Sequence, residues 1–274
     1  MPDSQHRLLG VDFSSRPSRR KPIVVAFGER LGDAVQLHRL QSFGSLDGFG
    51  HWLADPVNGP WTGGFDLPFG LPRELVEHLG WPLEWLPLMR HYTALSRSEI
   101  RAIFVRFCAE RPIGSKFAHR ACDRPAGSSP SMKWVNPPVA YMMHAGVALL
   151  IDAAVHLPGL HEGDRRRVAL EAYPGLLARE LIGRRPYKSD SPAKQTPTRQ
   201  LARDELLEAL EQGRSRLGLR LSSPAAWRDT LRTDASGDSL DAVLCLMQTA
   251  WAIGRVGFGL PVDTDALEGW IISA

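Results

Sequence analysis

Residues 8–13 read Leu8-Leu9-Gly10-Val11-Asp12-Phe13, a short apolar run that closes on an acid. The turn-forming Ser14-Ser15-Arg16-Pro17 follows, so the run is expected to be a strand carrying a carboxylate at its carboxyl end. Ile23-Val24-Val25-Ala26-Phe27 is β-branched and apolar, and Ala34 to Phe43 alternates, which predicts two further strands. Three strands with short connections predict an antiparallel meander. Ser45 is placed to cap a helix over Leu46 to Leu53. Thr62-Gly63-Gly64-Phe65-Asp66-Leu67-Pro68 then reads as a fourth strand with an acid near its end, stopped by Pro68 and Pro72.

From Pro72 to about Leu157 the pattern turns mostly helical, broken by a stretch rich in Gly, Pro, Ser and Asn between Ala126 and Pro138. Its most apolar part, Val139 to Leu157, is interrupted by His144, Asp152 and His156, which suits a buried or half-buried helix and not a membrane span. Arg167 to Pro174 returns to strand character. Leu176 to Ile182 is amphipathic, Thr198 to Gln212 has helical spacing, and a last helix is expected from about Ser239 to Val256 before Gly257 and Gly259.

The chain has 274 residues, 43% hydrophobic and 23% charged, with no repeat and no linker-like shift in composition. One domain over 1–274, with a helical insertion at about 72–157, is the expected organisation. The start lacks the basic and apolar segments of a signal peptide, and three unevenly spaced cysteines favour reduced thiols, so a cytoplasmic protein is expected. Net charge is only +3; the arginine clusters at 19–21, 165–167 and 184–185 permit a nucleic-acid partner without requiring one.

Asp12 and Asp66 lie where open α/β sheets build their sites, provided the two strands are parallel neighbours. Burying two carboxylates together is costly unless a cation neutralises them. Alone, either acid reads equally well as the start of a turn. Asp238 and Asp241 stand three residues apart at the start of the last helix and can share one face, although one of them can serve as a plain N-cap. Glu171 falls inside a strand-like run, where alternation leaves open which way it faces. Ser14, Arg120, Trp134 and Lys188 are the candidate substrate contacts, with Asp123 beside Arg120. His119 and Cys122 lack a second ligand pair at a zinc spacing, and Asp152 with His156 reads as an ordinary helical pair.

Taken together, Gly10 to Ser15, Gly64 to Pro72, Leu170 to Pro174, Tyr187 to Asp190, Gly237 to Ala242 and Glu268 to Ile271 resemble a family described only as domain of unknown function 429, whose members are regarded as predicted RNase H-like nucleases. The resemblance runs along essentially the whole chain. It implies an α/β RNase H-like mixed sheet, three antiparallel strands followed by parallel ones, flanked by helices, and an order of acids similar to that of RuvC-type resolvases. The expected activity is metal-dependent phosphodiester hydrolysis on nucleic acid. Asp12 would bridge two Mg²⁺ or Mn²⁺ ions, Asp66 and Asp241 would each hold one, and Asp238 or Glu171 would complete the shell. Two alternatives stand beside it: a nucleotide-binding module like those of actin-type ATPases and sugar kinases, and a non-catalytic binding protein on the same core.

Overall fold

The computed structural model describes residues 7–274. β1 (Arg7–Asp12), β2 (Ile23–Leu31) and β3 (Ala34–Phe43) form the antiparallel meander that their apolar runs predict. α1 (Leu46–Ala54) begins where Ser45 Oγ accepts the Gly48 N–H at 3.1 Å, and β4 (Trp61–Phe65) returns parallel to β1. The helical insertion follows as α2 (Arg73–His78), α3 (Trp85–Ala94), α4 (Arg97–Ala109), α5 (Asp123–Ala126) and α6 (Val139–Asp152). The chain then continues through β5 (Val155–His156), β6 (Asp164–Glu171), α7 (Pro174–Ile182) and α8 (Pro197–Glu211). It ends with β7 (Arg220–Ser222), α9 (Ala225–Thr233) and α10 (Asp238–Ala252). The mixed sheet has the order β5-β6-β4-β1-β2-β3-β7, and only β2 runs against the rest.

Period-2 alternation divides the buried residues between two faces. Leu9, Val11 and Phe65 join the core built with α1 and the insertion, whereas Leu8, Val24 and Ala26 meet α7, α8 and α10 on the other side. Asp12 and Asp66, in phase with Leu8 and Thr62, therefore point to the α10 face. α10 can come close because Gly10 and Gly64 are paired on adjacent strands beneath it. A Cβ at Gly10 would overlap the Ala242 carbonyl oxygen and the Leu246 nitrogen, and one at Gly64 would crowd Thr249 Oγ1 and the Cys245 carbonyl. Leu240, Leu244, Leu246 and Met247 of α10 are fully buried, each contributing roughly 1.5–3 kcal/mol of transfer free energy. The packing that hides these side chains also delivers the start of α10 to the ends of β1 and β4.

Several boundaries differ from the expected ones. The apolar segment from Val139 does not remain helical to Leu157: α6 stops at Asp152, Ala154 takes φ 52°, and Val155–His156 pairs with β6. Asp152 and His156 thus share no helical face, and His144 Nε2 is 2.8 Å from the Leu95 carbonyl. An apolar run looks the same in a buried helix and in a buried parallel strand, so its content could not mark the switch. α10 ends at Ala252, short of Val256. β7, three residues long, is too brief for alternation to register, and α9 was not anticipated. No helix among the described residues is long and apolar enough to cross a membrane.

Candidate metal centre

Asp12 is the last residue of β1, and Asp66 follows β4 directly, its N–H bonded to the Val11 carbonyl at 2.9 Å so that the parallel ladder carries one residue further. Asp241 comes from the first turn of α10. One carboxylate oxygen from each lies within 4.8 Å of the other two, an arrangement able to hold a metal ion. Asp241 is fully buried and Asp12 keeps 9% of its surface. Tyr187 donates its hydroxyl to Asp241 Oδ1 at 2.5 Å, and the Lys188 ammonium pairs with Oδ2.

The charges of this group are not balanced by the protein. Burial pushes the Asp12 carboxyl well above the usual range; Lys188 works against that shift, and Asp238 and Asp66 add to it. Burial raises Asp66 to about 6, opposed by Lys188 and helped by Glu171. Asp238 is also raised, first by burial, with Lys21 pulling it down and Asp234 pushing it up. Burial, then Asp66 and Asp12, lift the Tyr187 phenol well above its ordinary value, which keeps it a donor. Hard oxygen ligands with no internal cation sufficient to neutralise them fit a divalent ion.

Asp238 is not the helix cap. Gly237, at φ 79°, occupies the cap position, and the Asp234 carboxylate takes the Ser239 N–H at 2.9 Å and the Ser236 hydroxyl at 2.6 Å. Asp238 instead lines a cavity of about 510 Å³ with Asp12, Asp66, Ser14, Lys21 and Lys188. Ser14 is half-buried at its edge, its Oγ accepting the Arg16 N–H at 3.4 Å. Lys21 pairs with Asp190. Burial opposes its charge, but Asp190, Asp238 and Asp12 outweigh that and raise its pKa. Neither Lys21 nor Tyr187 was singled out from sequence. The available signals were the basic run after β1 and the Tyr187 to Asp190 segment.

Glu171 lines the same cavity but is not one of the three carboxylates whose oxygens lie within 4.8 Å of one another. Its partner across the sheet is Phe65, so alternation turns it to the insertion face while Asp66, one residue on, turns away. There Arg120 donates to both of its oxygens, at 2.6 and 2.7 Å, and the Phe69 N–H adds a third bond at 2.9 Å. Asp123, fully buried, grips the same guanidinium at 2.9 Å. Arg120 keeps 2% of its surface, so the structure places it in a buried ion network beneath the cavity and not on an open surface. Trp134 packs on Phe117 and Phe104, at 5.4 and 6.4 Å between ring centres, and is not among the residues lining the cavity. Lys188 and Ser14 stay at the cavity; Arg120 contributes to its wall from below.

No curated protein and no solved structure matches the chain. Residues 10–263 match the family described as "Protein of unknown function (DUF429)", and the chain belongs to that family.

Proposed function

We propose that this protein is a metal-dependent nuclease that hydrolyses phosphodiester bonds on an RNase H-like core. The observation that carries the reading is the convergence of Asp12, Asp66 and Asp241 from two parallel strand ends and one helix start, with ligand oxygens within 4.8 Å of one another. The order β3-β2-β1-β4-β6, with β2 alone reversed, supports the RNase H-like assignment. In this reading Asp12, Asp66 and Asp241 hold Mg²⁺ or Mn²⁺, ions suited to carboxylate oxygen. Such an ion, when bound, lowers the pKa of an attacking water and offsets charge on the leaving oxygen.

The chain's own groups do the rest. Tyr187 fixes one oxygen of Asp241 through its hydroxyl. Lys21 and Lys188 bring positive charge to the cavity and hold the phosphate there, a role suited to compact ammonium groups. Asp238, nearly buried with a raised pKa, is placed to hold a proton at the cavity wall. The nucleotide-binding alternative finds no support in the turn after β1, where Ser14-Ser15-Arg16-Pro17 offers no glycine-rich phosphate loop.

Asp12→Asn tests the assignment. Mn²⁺-dependent cleavage of single-stranded, duplex, hybrid or branched substrates is expected to fall by at least about 10³-fold, and Mn²⁺ binding by calorimetry to disappear, with the circular dichroism spectrum unchanged. Cleavage that survives in the folded variant would sink the proposal.

A further inference from the structure

The segments that line the acidic cavity also line a second cavity within one or two residues in sequence. Ser128, Tyr173 and Lys188 line the first, while Gly127, Gly175 and Tyr187 line the second. The second is an open groove of about 410 Å³, and Arg179, Arg184 and Arg185 complete it. Tyr187 belongs to both regions, since it walls the groove while its hydroxyl reaches Asp241. Tyr173 lines the acidic cavity, and its hydroxyl accepts from Arg179 Nη2 at 3.3 Å. The walls of the two cavities therefore adjoin at the Tyr173–Arg179 contact.

The groove carries positive charge that the protein does not answer. Arg185 is paired with Glu205, and Glu180, next to Arg179 in sequence, is committed to Arg216. Arg179 donates only to neutral oxygens, those of Ala126, Tyr173 and Gly175. Arg184 is exposed, and among the described residues no carboxylate pairs with it or with Arg179. The backbone is also shaped around Arg179: Gly127 sits at φ 60°, and a Cβ there would overlap the guanidinium. A half-buried guanidinium without an acid partner is the group that best grips a phosphate, through paired N–H donors.

We infer that this arginine groove is a second phosphate site, holding the phosphate next along a polynucleotide strand whose scissile phosphate lies at the acidic cavity. The identity of the strand rests on the nuclease reading above; the anion site rests on the groove alone. The substrate class is thereby a polynucleotide, because a nucleoside monophosphate has no second phosphate to place there.

Fluorescence anisotropy tests this with a short fluorescein-labelled single strand, in DNA and RNA arms, with EDTA present to prevent cleavage and salt varied from about 50 to 200 mM. Arg184→Gln is expected to weaken binding about threefold or more. The double variant Arg179→Gln/Arg184→Gln should weaken it about tenfold or more and lower the salt slope by about 1–2. Mn²⁺ binding should be unchanged in both. Arg184 makes no bond that folding needs, so its variant decides the question even where the double variant fails to fold. Wild-type affinity and salt slope in Arg184→Gln and in any folded double variant would overturn the inference, as would wild-type protein that binds a mononucleotide as tightly as the strand. Loss of strand binding in the groove variants, together with no Mn²⁺-dependent cleavage by the wild type, would uphold the groove and defeat the nuclease reading.

Discussion

At the carboxyl ends of β4 and β6, Asp66 and Glu171 belong to neighbouring strands, yet they face opposite sides of the sheet and meet different company. Glu171 finds Arg120 and the Phe69 N–H, which together supply three short hydrogen bonds. Asp66 finds Asp12 and Asp241, with the Lys188 ammonium as the cation paired to the group. A carboxylate that accepts three protein hydrogen bonds, two of them from one guanidinium, has little left for a ligand. Burial raises both carboxyls, Glu171 against the pull of Arg120 and Asp66 against that of Lys188, but Asp66 also lies beside Asp12 and Asp241 and so retains an unmet demand for positive charge. The first cluster holds the insertion to the sheet; the second is where a cation would relieve the strain of like charges.

Removing the cation from the satisfied cluster should have the largest effect on stability. Arg120→Met leaves Glu171 and Asp123 buried without their partner, and about 3–5 kcal/mol of unfolding free energy should be lost, read from urea denaturation. A loss below about 1 kcal/mol would mean that solvent reaches this network and that the contrast between the clusters is weaker than drawn. Gly10→Ala attacks the other cluster without touching a charge. The added methyl forces α10 off β1, at a cost of about 3 kcal/mol by thermal denaturation, and carries Asp241 away from Asp12. Mn²⁺ binding should fall far more in Gly10→Ala than in a folded Arg120 variant. Equal affinities would show that α10 does not set the spacing of the three acids.

Asp12 and Asp66 were legible in the sequence because each follows an apolar run at a turn, and Asp241 because it interrupts an otherwise apolar helical seam. The meander was legible for the same reason, whereas the parallel return of β4 was implied only by the family resemblance. The side to which Glu171 turns was not, since it depends on which β6 residue lies beside Phe65, and a slip of one residue would reverse it. Trp134 sits in a stretch of polar composition, but that stretch folds back on Phe104 and Phe117, a contact between segments that local pattern cannot report. Asp234, Asp238 and Asp241 are all spaced to cap or line a helix start. Only the backbone, with Gly237 in the left-handed region, assigns the capping bonds to Asp234.

Asp66→Asn reverses the sign of the stability effect. The carboxyl titrates at about 6 in the fold against 3.8 in its ordinary state, so between those values the folded chain binds more protons than the unfolded one. The stabilising contribution of the neutral form is complete below about pH 4 and is lost as pH rises through 6. Asp12 is shifted in the same direction. Metal-free protein should therefore lose stability across this window. Asp66→Asn should recover on the order of 2 kcal/mol at pH 8, after allowance for the solvent at the cavity. Mn²⁺ should stabilise the wild type at that pH and leave the variant nearly unmoved. A variant less stable than the metal-free wild type at pH 8 would place Asp66 with the satisfied acids.

Lys188→Met is the finest probe of the contrast. Its side chain is 41% exposed, so the pair with Asp241 is partly screened, and losing it should cost metal-free protein less than about 1 kcal/mol. The consequence for the acids should be larger than the consequence for the fold. Lys188 is the leading charge lowering both Asp12 and Asp66, so its removal should raise both carboxyl pKa values further, measurable by carboxyl carbon NMR. Mn²⁺ should then bind more tightly above pH 7, because a competing positive charge has gone. The same substitution should leave Glu171 nearly unaffected, since its partners are Arg120 and the Phe69 N–H and not Lys188. A metal affinity that falls in Lys188→Met would mean that the ammonium helps to assemble the aspartates, and the second cluster would have to be redrawn as a partly satisfied one.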